Sequence, residues 1–147
     1  MHIPLKVDYG VRALVDLAQH DGLGSIHSAD IARRQSIPEP YLDRLLLTMA
    51  KSGLVKSQRG PQGGHVLAKQ AVDITLGMVM NALDETSALV GCLEDPALCS
   101  MSPACSQRNI WEEVEQAVQT ILDRTTIADL VKRVPLPTAV PIPLKVG

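Results

Sequence analysis

Cys92, Cys99 and Cys105 are the only cysteines of the 147-residue chain, and all lie within GCLEDPALCSMSPACSQRNIW (residues 91–111). Six residues separate the first pair and five the second. Thiolates bind zinc and the iron of iron–sulfur clusters, and in a reducing compartment clustered thiols more often hold metal than pair as disulfides. An odd number leaves any disulfide scheme one thiol short. Reversible thiol oxidation is the other chemistry such a loop could perform. No Ser/His/Asp or Cys/His set stands out, so no enzyme is expected.

The elements that position this loop must come from one domain with a modest core. The chain is 46% hydrophobic and has no Phe, so Leu, Val, Ile, Met and Ala must fill the interior, which favours helices. No apolar run approaches the roughly 18 residues of a membrane span, and MHIPLKVDYGVRAL does not read as a signal peptide. A cytoplasmic protein, with no membrane partner and no small-molecule substrate, is expected. Residues 1–72 hold nine Lys/Arg against six Asp/Glu, whereas the remainder holds five against ten. A basic first part and an acidic second part point to different partners.

VDYGVRALVDLAQH (residues 7–20) brings Tyr9, Val11, Ala13, Leu14, Leu17 and Ala18 to one broad stripe, a helix stopped by Gly22 and Gly24. HSADIARRQ predicts a short helix with Ser28 as N-cap, Ile31 and Ala32 inward, and Arg33 and Arg34 outward. EPYLDRLLLTMAKSG predicts a third helix with Pro40 in its first turn and Gly53 after its end. Tyr41, Leu42, Leu45, Leu46 and Met49 share one face; Asp43, Arg44, Leu47, Thr48 and Lys51 share the other. LVKSQRG and GHVLAK then read as two strands joined by GPQGG. This order is that of a winged helix-turn-helix, mainly α with a small β-hairpin wing, over residues 1–72. The outward face of the third helix is expected in the major groove of double-stranded operator DNA. The candidate DNA-binding residues are Arg33, Glu39, Tyr41, Asp43, Arg44 and Lys51, with Arg59, Gly60, Gly63 and Gly64 in the wing. There an arginine can reach phosphates or a narrow minor groove.

Residues 73–133 supply a helix in DITLGMVMNALDE, the cysteine loop, and a long amphipathic helix in SQRNIWEEVEQAVQTILDRT. TTIADLV adds a short helix. Ile110, Trp111, Val114, Ala117, Val118, Ile121 and Leu122 repeat at three- and four-residue spacing. That stripe is long for so small a domain, and a matching helix of a second copy is its natural cover. Residues 134–147 carry four prolines and read as an extended or disordered, flexible tail.

DYGVRAL, IARRQSIPEPYL, GLVKSQRGPQGGHVLA, DITLGMVMNALD, the three cysteines and TTIADL together make the chain resemble the IscR/NsrR/RirA family of bacterial winged-helix repressors, over residues 7 to 131. The resemblance implies a homodimer, a crossed long dimerisation helix and an iron–sulfur cluster on the cysteine loop whose state controls DNA binding. The loop offers three ligands where a cluster normally takes four. In the IscR branch the fourth is a histidine three residues after the last cysteine, where this chain has Arg108. In the NsrR branch it is an aspartate of the first helix of the other subunit, and the matching position is Asp8. A 4Fe-4S cluster held by Cys92, Cys99, Cys105 and Asp8 is therefore the favoured expectation, with a 2Fe-2S form as the alternative. His2, His20, His27 and His65 are further ligand candidates, His65 being better placed for a DNA-facing or core role.

Two departures limit the resemblance. Pro38, Glu39 and Pro40 stand where IscR-like proteins carry hydroxyl side chains, so a different operator sequence is expected; Glu39 and Asp43 could accept from a cytosine amino group. The six-then-five cysteine spacing also differs from the commonest form. Competing expectations are a zinc-dependent or thiol-redox winged-helix regulator without a cluster, and an iron–sulfur carrier or assembly factor that does not regulate genes.

Overall fold

Leu14, Ile31, Leu42, Leu46, Met49, Ile74, Val79 and Ile127 are fully buried and belong to one continuous core. The computed structural model describes residues 2–84, 88 and 90–133; the proline-rich tail expected at 134–147 lies outside them. Helix α1 (Leu5–Gln19) turns Val7, Gly10, Ala13, Leu14 and Leu17 inward. It begins two residues earlier than the apolar stripe indicates. Pro4 stands at the cap, and its carbonyl accepts from the Val7 and Asp8 amides at 2.9 and 3.1 Å. Helix α2 (Ser28–Gln35) starts one residue before expectation: Ser28 is its first helical residue, and His27 occupies the cap without a side-chain bond. Helix α3 (Glu39–Lys51) begins after Pro38, and Leu42, Leu45, Leu46 and Met49 face the core.

Strands β1 (Val55–Gln58) and β2 (Gly64–Leu67) pair antiparallel, Val55 with Leu67 through Gln58 with Gly64. Ile26 adds a short third rung, exchanging backbone hydrogen bonds with His65 at 2.9 and 2.8 Å. The wing is thereby tied to the link between α1 and α2. Helix α4 (Leu76–Leu83) is shorter than the sequence pattern suggested, because a 3₁₀ turn at Ala71–Asp73 and extended backbone at Ile74 and Thr75 precede it. Thr75 caps it by accepting from the Met78 amide at 3.2 Å. Gly10 makes the crossing of α1 with α4 possible: a Cβ there would collide with Leu83 Cδ1.

Beyond α4 the character changes. The cysteine segment is a series of single turns: α5 (Gly91–Glu94) and 3₁₀ turns at Pro96–Leu98 and Ser102–Ala104. Helix α6 (Arg108–Arg124) buries no residue, and Ile110, Trp111 and Ile121 stay exposed along it. Helix α7 (Ile127–Arg133) returns to the core through Ile127 and packs on α1.

Candidate nucleic-acid interface and metal centre

The outward face of α3 presents Glu39, Asp43, Arg44, Leu47, Thr48 and Lys51 to solvent. The hydroxyl of Thr48 donates back to the Arg44 carbonyl at 3.1 Å. Arg33 is exposed on α2 and pairs with Asp30 at 3.1 Å, an ion pair of little energetic weight. Arg59 and Gly60 project where β1 ends, and Gly60 adopts φ +107°. A side chain on Gly63 would strike the Gln58 and Gly60 carbonyls, so the wing loop folds this tightly only with glycine there. Tyr41 differs from the other candidates. It is half-buried on the inner side of α3, its ring edge-on to Tyr9 at 5.6 Å and 82°.

His65 sits half-buried in β2, with Nδ1 2.9 Å from the Ser57 hydroxyl. Burial pushes its pKa below the ordinary 6.5, Asp43 pulls the other way, and His27 adds to the lowering.

Arg34 does not project freely as the helical pattern suggested. Its Nε and Nη2 donate to the Asp16 carboxylate at 2.9 and 2.6 Å, and Gln35 Nε2 adds a third bond at 3.1 Å. Asp16 is 1% exposed, so the pair clamps α2 onto α1 and leaves Arg34 little freedom to seek DNA. The interaction holds the Arg34 guanidinium above its ordinary pKa, chiefly through its hydrogen bond to Asp16.

Asp8 lies in the first turn of α1, where the helix dipole favours a carboxylate. Arg12 grips it from one turn away, donating through Nε at 3.2 Å and Nη2 at 2.8 Å. The same guanidinium donates to the Gln35 carbonyl at 3.4 Å and lies 5.5 Å from the centre of the Tyr9 ring. Tyr9 in turn packs on Tyr41 of α3. A chain of contacts thus runs from Asp8 through Arg12 and Tyr9 to α3. The sequence signal for its first link is the four-residue spacing of Asp8 and Arg12 on one helix. The Asp16–Arg34 clamp spans eighteen residues and has no such local signature. Beside Asp8 opens a largely apolar cavity of about 490 Å³, lined by His2, Leu5, Val11, Met80 and Leu122 among others.

Cys92, Cys99 and Cys105 are free thiols and half-buried. No group of three or more His, Cys, Asp or Glu side chains among the described residues is gathered tightly enough to hold a metal ion within one chain. His2, His20 and His27 are not drawn to the thiols in any such group. In donor chemistry the loop nonetheless fits an iron–sulfur cluster: three soft thiol ligands lie on short turns, and α5 and the Pro96–Leu98 turn have no buried residue to fix them. Ser102 Oγ and Arg108 Nε, flanking Cys105, are buried without a hydrogen-bond partner. No helix among the described residues is long and apolar enough to cross a membrane.

Residues 3–133 match the Rrf2 family, described as an iron-dependent transcriptional regulator. The chain is 37% identical to the protein rrf2 of Nitratidesulfovibrio vulgaris over 132 residues, 90% of this chain and 88% of that protein. It resembles the structure of T. potens IscR with a TM-score of 0.74 and 38% identity, covering 90% of this chain and 88% of the other. It also resembles CymR (YrzC), the global cysteine regulator of B. subtilis, with a TM-score of 0.78 and 33% identity over 92% of this chain and 99% of that one. The helical fold with its two-stranded wing is that of winged-helix regulators. The chain therefore belongs to the Rrf2 family, whose members are transcriptional regulators and not enzymes.

Proposed function

We propose that the protein is a cytoplasmic, homodimeric DNA-binding repressor whose operator affinity is set by an iron–sulfur cluster. Cys92, Cys99 and Cys105 of one chain and Asp8 of the partner subunit hold that cluster, which is of the 4Fe-4S type. Residues 1–72 read DNA, through Arg44, Asp43, Glu39 and Lys51 in the major groove and Arg33, Arg59, Gly60, Gly63 and Gly64 against the backbone. Tyr41 acts from inside, by positioning α3. Residues 73–133 carry the sensing loop and the dimer helix.

The observation that carries this reading is the contact chain from Asp8 to α3. A carboxylate gripped by Arg12 cannot also bind iron with both oxygens. Taking Asp8 as a ligand therefore loosens Arg12, which also bonds the end of α2 and lies over Tyr9. Tyr9 then settles differently against Tyr41, and the angle of α3 follows. When bound, the cluster supplies a site that nitric oxide, oxygen or iron shortage can break down. The carboxylate is its weakest protein ligand and hence its labile corner. The exposed apolar stripe of α6 supports the dimer: Ile110, Trp111 and Ile121 are 51%, 40% and 51% exposed.

Anaerobic purification with iron and sulfide analysis and Mössbauer spectroscopy tests the reading. Four irons and four sulfides per chain are expected. Cys92→Ala, Cys99→Ala and Cys105→Ala should each lose the cluster yet remain folded dimers. Asp8→Ala should keep a cluster with an altered spectrum and decay rate. A variant that keeps full iron and sulfide removes that cysteine from the ligand set. A colourless protein containing zinc, or none of these elements, would replace this reading with zinc- or thiol-based sensing. The likeness to CymR favours that second reading as the next to examine, because a cysteine regulator shares this fold.

A further inference from the structure

Among the described residues two buried side-chain polar atoms lack any hydrogen-bond partner: the Ser102 hydroxyl and Arg108 Nε. Both lie in the thiol segment, three residues before and three residues after Cys105. Ser102 is 3% exposed, while its own amide is satisfied by the Cys99 carbonyl at 3.1 Å. A buried donor with no acceptor is costly, and folded chains tolerate it where a bound group supplies the acceptor. The winged half has no such atom among its described residues. Two orphaned donors bracketing one thiol therefore mark a place where acceptors must come from outside the polypeptide.

We infer that Ser102 Oγ–H and Arg108 Nε–H donate hydrogen bonds to inorganic sulfide of the cluster held beside Cys105. This rests on the cluster reading above and extends it. Arg108 stands where the IscR branch would place a histidine ligand, and it acts here as a donor to sulfur instead. Three thiolates and a carboxylate carry more negative charge than the cluster iron and sulfide offset. A guanidinium N–H and a hydroxyl directed at sulfur disperse that charge and stabilise the reduced form more than the oxidised form. Both residues thus position and tune the group without ligating iron.

The experiment uses the full-length dimer purified anaerobically, with Ser102→Ala, Ser102→Thr and Arg108→Lys. Arg108→Lys keeps the charge but removes Nε–H. Iron and sulfide counts of the parent come first. A parent without both elements refutes the cluster reading, and this inference falls with it. In a parent that carries the cluster, Ser102→Ala and Arg108→Lys should shift the midpoint potential to more negative values. They should also raise the Fe–S stretching frequencies in resonance Raman spectra, because sulfur freed of hydrogen bonds binds iron more tightly. Ser102→Thr, which keeps the hydroxyl, should restore both. The metal-free Ser102→Ala protein should melt no lower than the metal-free parent, since it loses an orphaned hydroxyl. Unchanged potentials and Raman bands in a cluster-loaded Ser102→Ala and Arg108→Lys would overturn the inference. So would a metal-free Ser102→Ala that is destabilised, which would assign the hydroxyl to the fold itself.

Discussion

The winged half and the cysteine half of this chain are built on opposite terms. From α1 to α4, sixteen apolar residues are buried, among them Leu14, Leu46, Met49 and Val79; among the described residues from α5 to α6 none is. The first region is complete in one chain, with a core, a wing pinned through Ile26, and a buried Asp16–Arg34 clamp. The second leaves its thiols unpaired, two buried donors without acceptors, and Ile110, Trp111 and Ile121 exposed on α6 even though α6 packs against α4. Under the proposed function this division is expected: a region that reads a fixed DNA surface gains from rigidity, and a region that responds gains from being completed by something that can leave.

The largest expected break of this contrast is Leu46→Ala. Leu46 is fully buried, and its truncation should cost about 3 kcal/mol, read as a lower denaturant midpoint. A change below about 1 kcal/mol would show that α3 is not anchored as described. Next comes Ile121→Asp on α6. Its effect should fall on association: sedimentation should show a shift from dimer to monomer, with helix content nearly unchanged. A dimer of undiminished affinity would place the interface elsewhere.

The contrast also explains what could be read from the sequence. Helices α1 to α3 follow from apolar residues that recur every three or four positions, because their neighbours on the core lie in the same chain. The wing follows from the change of period and its glycines. The Asp16–Arg34 clamp was not legible: charged residues eighteen apart meet only after α1 and α2 have packed, and Arg34 reads as solvated by its helical position. Tyr41 was legible as part of the apolar face of α3, but its edge-on contact with Tyr9 of another helix was not. That the three thiols share one short loop is plain in the sequence. Their geometry is not, because single turns such as Gly91–Glu94 have no periodic pattern to project. Ser102 left no signal at all, since one serine among several in a polar loop looks like any other.

Smaller effects sharpen the account of the winged half. Arg59→Ala should weaken operator binding and reduce the slope of log affinity against log salt by about one, with sequence preference nearly unchanged, if Arg59 neutralises one phosphate. An identical slope would remove it from the interface. The smallest effect is a pH dependence. The His65 pKa is lowered by burial, so the unfolded chain takes up a proton near the ordinary 6.5 and the folded chain only at lower pH. Between those values the unfolded state binds more protons, and stability should decline as pH falls below about 6.5. His65→Asn should flatten that decline. A variant with the same pH profile as the parent would show that His65 does not contribute to it.

On the proposed function, the affinity of the anaerobically purified protein for its operator, measured at one salt concentration before and after treatment with an iron chelator, joins the two halves in a single number. If the sensing loop governs the reading head through Asp8, stripping should change the dissociation constant by about tenfold or more, equivalent to 1.4 kcal/mol of coupling, while circular dichroism shows the winged half still folded. Equal affinities with and without the cluster would contradict the account.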